Sequence, residues 1–165
     1  MKKTRRIIGI DPGLANTGFG ILDDFCGKFK LVSYGVIETP SSDLLHERLV
    51  KIHEGIKSVL LEFNPDEAAM EELYFGKNSS SAMNVAEAKG VATLSLALFG
   101  TAPKMYRPNQ IKSAVTGTQQ ADKNTVEQYV ALLLNLREVP KPDHAADALA
   151  CAITHAHYSA KESQG

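Results

Sequence analysis

Ile7-Ile8-Gly9-Ile10-Asp11-Pro12-Gly13 is the stretch on which the reading of the fold turns. Its apolar, largely β-branched residues form a run of strand length, and Asp-Pro-Gly closes it with turn chemistry, so it reads as a buried strand. Outward from it, residues 17–22 and 31–39 read as two further strands, and the polar, glycine-containing segment 23–28 joins them as a hairpin. Three antiparallel strands therefore open the chain. From Ser42 the period changes: Leu45, Leu49, Ile52, Ile56, Val59 and Phe63 recur at three and four, which predicts an amphipathic helix stopped by Asn64-Pro65. Residues 67–73 read as a short strand, 74–81 as a polar loop, 82–99 as a long alanine-rich helix and 104–107 as a fifth strand. Three helices follow, at 108–115, 122–136 and 143–158. Strands first, then helices alternating with strands, predict an α/β protein with a mixed five-stranded sheet flanked by helices.

Composition bounds the function only loosely. The 165 residues are 44% hydrophobic and 22% charged, as in an ordinary folded domain, and no linker, repeat or low-complexity segment divides them. One domain over residues 1–165 is expected. No apolar run approaches the roughly 20 residues of a membrane span. The basic start is followed by an apolar stretch that Asp11 and Pro12 interrupt, unlike the core of a signal peptide. Cys26 and Cys151 form no metal-like or redox pair and suit a reducing compartment, so a cytoplasmic enzyme is expected. The net charge of −1 lacks the basic footprint usual for nucleic-acid binders, which tilts slightly against DNA. A carboxylate cluster neutralised by metal would lower the net charge in the same way.

Three acidic motifs carry the candidate chemistry. Asp11 ends the first strand on the same face as Gly9 and Ile7. A carboxylate there needs a partner, a metal or a turn to justify its burial. Glu71 and Glu72 end the apolar run Ala68-Ala69-Met70, and strand alternation lets only one of them share a site with Asp11. Periodicity does not choose between them. The last motif, Asp143-His144-Ala145-Ala146-Asp147, opens the final helix, where spacings of three and four share one face. Asp143, after Pro142, suits the N-cap. Asp147, set among alanines, suits an acid presented into a site by a closely packed helix. An oxygen-rich set without thiolates fits Mg²⁺ or Mn²⁺ better than zinc. A pair of such ions can serve an in-line phosphoryl displacement. No P-loop, dinucleotide-binding glycine pattern or HExxH helix is present.

Gly-Ile-Asp-Pro-Gly, Met-Glu-Glu-Leu-Tyr-Phe-Gly-Lys-Asn and Asp-His-Ala-Ala-Asp-Ala-Leu-Ala-Cys-Ala-Ile-Thr-His, in this order, closely resemble the bacterial RuvC family of Holliday-junction resolvases. The likeness runs from Ile7 to about His157. It implies a ribonuclease-H-like three-layer fold, a homodimer, Mg²⁺-dependent nicking of four-way DNA junctions in recombination and repair, and partnership with the RuvA–RuvB branch-migration complex. It also implies that Asp11, Glu71 and Asp147 match three of four catalytic, metal-holding acids, which selects Glu71 over Glu72. The fourth position, an aspartate in well-known relatives, is His144 here. A neutral imidazole ligates Mn²⁺ well and Mg²⁺ less readily, or it can donate a proton to the leaving group. Two Mg²⁺ ions per site, replaceable by Mn²⁺, are the implied cofactors.

The remaining candidates concern DNA. Tyr74 or Phe75 can stack on an unpaired base, an interaction worth about 1–3 kcal/mol, and the resemblance assigns that role to Tyr74. Lys77 adds a charge to the same loop, while Lys112 and Lys123 stand where relatives carry lysines close to DNA. His155 and His157 read as structural or surface residues. Lys2, Lys3, Arg5 and Arg6 read as a basic tail for phosphate or solvent. Met83, Val91, Leu94 and Leu98 exceed what one buried stripe of the long helix needs and offer material for a dimer interface. Three other readings compete. An actin-like ATPase needs a second phosphate loop and about twice the chain. An inactive junction binder would not keep the acids. A YqgF-type nuclease acting on RNA fits the 74–78 loop and the last helix less well.

Overall fold

The computed structural model describes residues 4–72 and 79–162. Strands β1 (Arg5–Asp11), β2 (Asn16–Phe25) and β3 (Lys28–Glu38) form the expected meander; helix α1 (Leu45–Phe63), strand β4 (Glu67–Glu71), helix α2 (Ser79–Phe99) and strand β5 (Lys104–Tyr106) follow, then helices α3 (Pro108–Thr116), α4 (Lys123–Leu133) and α5 (Asp143–Glu162). The sheet order is β3-β2-β1-β4-β5. β1 pairs antiparallel with β2 and parallel with β4, and β4 pairs parallel with β5, so the sheet is mixed. The alternation of β1 divides the core: Ile8 and Ile10 pack with α1 and α2, whereas Ile7 packs with α3, α4 and α5.

Several boundaries differ from the sequence reading for local reasons. The β2–β3 hairpin is tighter than expected. Phe25 pairs with Lys28 across two residues, Cys26 and Gly27, with φ of 58° and 93°, the positive pair that a two-residue hairpin turn requires. Asp122 stands outside α4 as its N-cap, accepting the Thr125 N–H at 2.7 Å. Leu45, expected in the apolar stripe of α1, is 44% exposed, and Leu60 is buried instead. Asp143 is the first residue of α5 rather than the cap before it, and its carboxylate faces Lys123 and Lys141.

Arg5 and Arg6 are not a tail. Both belong to β1: Arg5 binds Asp24 at 2.6 Å and Glu67 at 3.3 Å, and Arg6 binds Asp23 at 2.8 Å. His155 is also structural, and it does pair with an acid. It is buried, with Nδ1 2.7 Å from the Tyr106 hydroxyl and Nε2 2.6 Å from Glu67. Burial holds its pKa below the ordinary value despite Glu67. His157 stacks edge-on against Phe29. These contacts tie the amino ends of β1 and β4 to the end of α5, at the opposite end of the sheet from Asp11.

What positions the functional end is the closeness of α5. A Cβ built on Gly9 would lie 1.8 Å from the Ala148 carbonyl oxygen, and one on Gly18 would lie 2.1 Å from that of His144. Bare backbone in β1 and β2 thus lets α5 rest directly on the sheet. The small residues Ala145, Ala146, Ala148, Ala150 and Ala152 make up the helix side of the contact, all buried.

Candidate active site

Parallel pairing brings the carboxyl ends of β1 and β4 side by side, with Ile10 opposite Met70, so Asp11 and Glu71 come next in line. Gly9 and Ala69, two residues back, both lie on the α5 side of the sheet, and alternation puts Asp11 and Glu71 on that side too. Glu72 turns away to Arg107, 3.5 Å distant. The loop after Asp11 is pinned by Thr17, whose hydroxyl donates to the Gly13 carbonyl (2.7 Å) and accepts its N–H (3.3 Å). From α5, His144 Nδ1 lies 2.8 Å from Asp11 Oδ2, and Asp147 follows one turn later.

The electrostatics show that the acids share one space. Burial pushes the Asp11 carboxyl above its usual range; the His144 hydrogen bond opposes this, and the charge of Asp147 adds to it. Burial likewise raises Glu71, followed by the charges of Asp11 and Asp147, with Lys89 and Lys112 opposing. Asp147 Oδ2 is 3.2 Å from Lys123 Nζ. Glu71, Asp147, Lys112 and Lys123 line a cleft of about 190 Å³. The structure therefore gathers Asp11, Glu71, His144, Asp147, Lys112 and Lys123 at one end of the sheet. Tyr74, Phe75 and Lys77 lie outside the described residues.

Two neighbours escaped the sequence reading. Lys89 of α2 donates from Nζ to the Glu71 carbonyl at 2.9 Å, and burial lowers its pKa. The only hint was a single cation in an apolar helical stretch. Cys151 lies fully buried behind the acids; desolvation, and then Glu71, Asp11 and Asp147, push its thiol well above the ordinary value.

Among the described residues, no three His, Cys, Asp or Glu side chains are already drawn to metal-ligating distance. Asp11 is engaged by His144, and Asp147 by Lys123. The donor set still fits a hard divalent cation: oxygen-rich, partly desolvated, and carrying negative charge that raises its own members' pKa values.

The fold and site together define a class: a ribonuclease-H-like α/β protein with acids converging at the carboxyl ends of its central parallel strands, flanked by lysines. The family model described as crossover junction endodeoxyribonuclease RuvC matches residues 7–155. RuvC of Treponema denticola is 51% identical over 90% of this chain and 83% of its own length; that of Alkaliphilus oremlandii is 48% identical over 92% of each. Thermus thermophilus RuvC, solved with a Holliday junction substrate, is 34% identical, covers 96% of both chains and superposes with a TM-score of 0.91. The chain belongs to the RuvC family.

Proposed function

We propose that this chain is a single-domain endonuclease that resolves four-way DNA junctions in recombination and repair, nicking two strands of like polarity. The observation that carries the reading is the convergence of Asp11, Glu71, His144 and Asp147 beside Lys112 and Lys123, in a chain so similar to a junction-bound relative. Asp11, Glu71 and Asp147, with His144, would hold two divalent ions, Mg²⁺ or Mn²⁺. When bound, such ions neutralise phosphate charge, acidify the attacking water and stabilise the leaving oxygen. Lys112 and Lys123 draw the backbone into the cleft and offset the negative charge that the acids present to it. With Nδ1 of His144 engaged by Asp11, the ring would have Nε2 left for ligation or proton transfer. Tyr74 or Phe75 would stack on an unpaired base, with Lys77 on nearby phosphate. Among the described residues no helix is long and apolar enough to cross a membrane, and a DNA substrate suits the cytoplasm. A mobile junction, a plain duplex and an RNA–DNA hybrid, each offered with Mg²⁺ or Mn²⁺, test the reading. Symmetric paired nicks in the junction alone are expected; preference for the hybrid would favour an RNA-directed nuclease.

Paired nicking with one site per chain calls for two chains about a two-fold axis. Support comes from α2: Met83, Leu94 and Leu98 are exposed, while Ala88, Ala92 and Leu96 on its other side fill the core. Leu61 of α1 is exposed as well. Val91, in contrast, packs on the core. A homodimer through this face is expected, with the RuvA–RuvB complex as a further partner on family grounds. Leu94→Glu with Leu98→Glu should sediment as a folded monomer and lose paired nicking; a wild type that stays monomeric on junction DNA would count against the dimer.

A further inference from the structure

We propose that Glu127 is a positioning residue that keeps Lys123 inside the site once Asp147 is engaged by a divalent cation; this rests on the reading of Asp147 as a metal ligand. One ammonium faces three carboxylates here. Lys123 Nζ is 3.2 Å from Asp147, 3.6 Å from Asp143 and 4.0 Å from Glu127 Oε1. Asp143 is more than half exposed and also has Lys141 at 3.7 Å.

Glu127 differs from both. It is 8% exposed, and its Oε1 is buried with no hydrogen-bond partner among the described residues. A buried carboxylate oxygen left unpaired is costly. Burial and then Asp143 hold its carboxyl above the usual range, and Lys123 is the first group opposing them. The two residues are four apart on α4, on the same helical face. A shift of about 1 Å, from the present 4.0 Å to ordinary contact, would give Glu127 its missing partner as Lys123 leaves Asp147. Lys123 thus has two seats, one on the acid given to metal and one behind it. Held in the second, the lysine stays in the cleft to meet phosphate.

The test is a double-mutant cycle read by Mn²⁺ titration calorimetry on the full chain without DNA, with melting curves for each variant. Lys123→Met should tighten Mn²⁺ binding by about tenfold, because the ion no longer displaces an ammonium from Asp147. Glu127→Gln should weaken it by about fivefold, since Lys123 must then be expelled into solvent. It should also melt no lower than wild type, having lost a buried unpaired charge. In the Lys123→Met background, Glu127→Gln should change nothing. A weakening that persists there would mean that Glu127 acts on the ion directly, and no weakening in either background would equally overturn the proposal. Glu127→Met serves in the same cycle if the glutamine variant misfolds. Asp147→Asn separates the premise from the proposal: unchanged Mn²⁺ affinity in that variant sinks the ligand reading itself, whatever Glu127 does.

Discussion

Asp147→Asn, Asp11→Asn and Glu71→Gln are each expected to reduce junction cleavage by about 10³-fold or more, the scale of losing several kcal/mol of charge stabilisation in the transition state. Asp147 raises the Asp11 carboxyl, and Asp11 and Asp147 raise that of Glu71, so the acids share one field and each removal takes away charge that would hold metal. Junction affinity should stay within a few-fold of wild type or improve, because affinity for DNA is set largely by phosphate contacts and a lost carboxylate repels phosphate less. Glu72→Gln is the matched control. Its side chain faces Arg107 at the exposed edge, and cleavage should remain within about twofold, the range of an ordinary surface change. Gel-resolved nicking at saturating Mg²⁺, paired with fluorescence anisotropy on labelled junction, reads both quantities. Near wild-type cutting by any of the three acid variants removes that residue from the ligand set, and a dead Glu72→Gln beside a live Glu71→Gln reverses the strand register argued for β4.

Gly9→Ala is expected to be the most damaging glycine-to-alanine change among the described residues. The new Cβ meets the Ala148 carbonyl at 1.8 Å and the Ala152 nitrogen at 3.0 Å, both backbone atoms that no rotamer change can move aside. Strand and helix must separate, opening a contact whose other side is buried alanine. A loss of about 4 kcal/mol or more is expected, lowering Tm by about 8–16 °C in a chain of this size. Calorimetry checks it directly. Retained stability within about 1 kcal/mol would show that α5 has slack against β1 and that the close approach is not a requirement of the fold.

Much of this architecture was legible because it is written in local terms. Ile7 to Ile10 and the period of α1 declare strand and helix through burial alone, and Asp11-Pro12-Gly13 marks where the first strand must stop. The alternation that carries Gly9 to Asp11 and Ala69 to Glu71 is geometric, so the two acids fall on one side once the strands pair in parallel. Pairing itself is not local, and the choice between Glu71 and Glu72 had to come from family likeness. The roles of Arg5, Lys89 and His155 were hidden for the same reason. Their partners, Asp24 and Glu67, the Glu71 carbonyl, and Tyr106 with Glu67, lie 18 to 88 positions away, at distances no period encodes. Exposed leucines on α2 were readable as surplus, because a helix with apolar residues on every side has more than its own core can bury.

The hydrogen bond between Asp11 and His144 joins positions 133 apart, which has a consequence for timing during synthesis. Asp11 leaves the ribosome well before His144, its partner on α5, which is made 133 positions later. At about 5–20 residues per second, a nascent chain spends about 7–27 s between the synthesis of Asp11 and that of His144. On the proposed reading of the site, nuclease activity would therefore arrive only after α5 has been made. On the same reading, products that end before residue 144 would carry Asp11 and Glu71 without the α5 side chains that complete the proposed site.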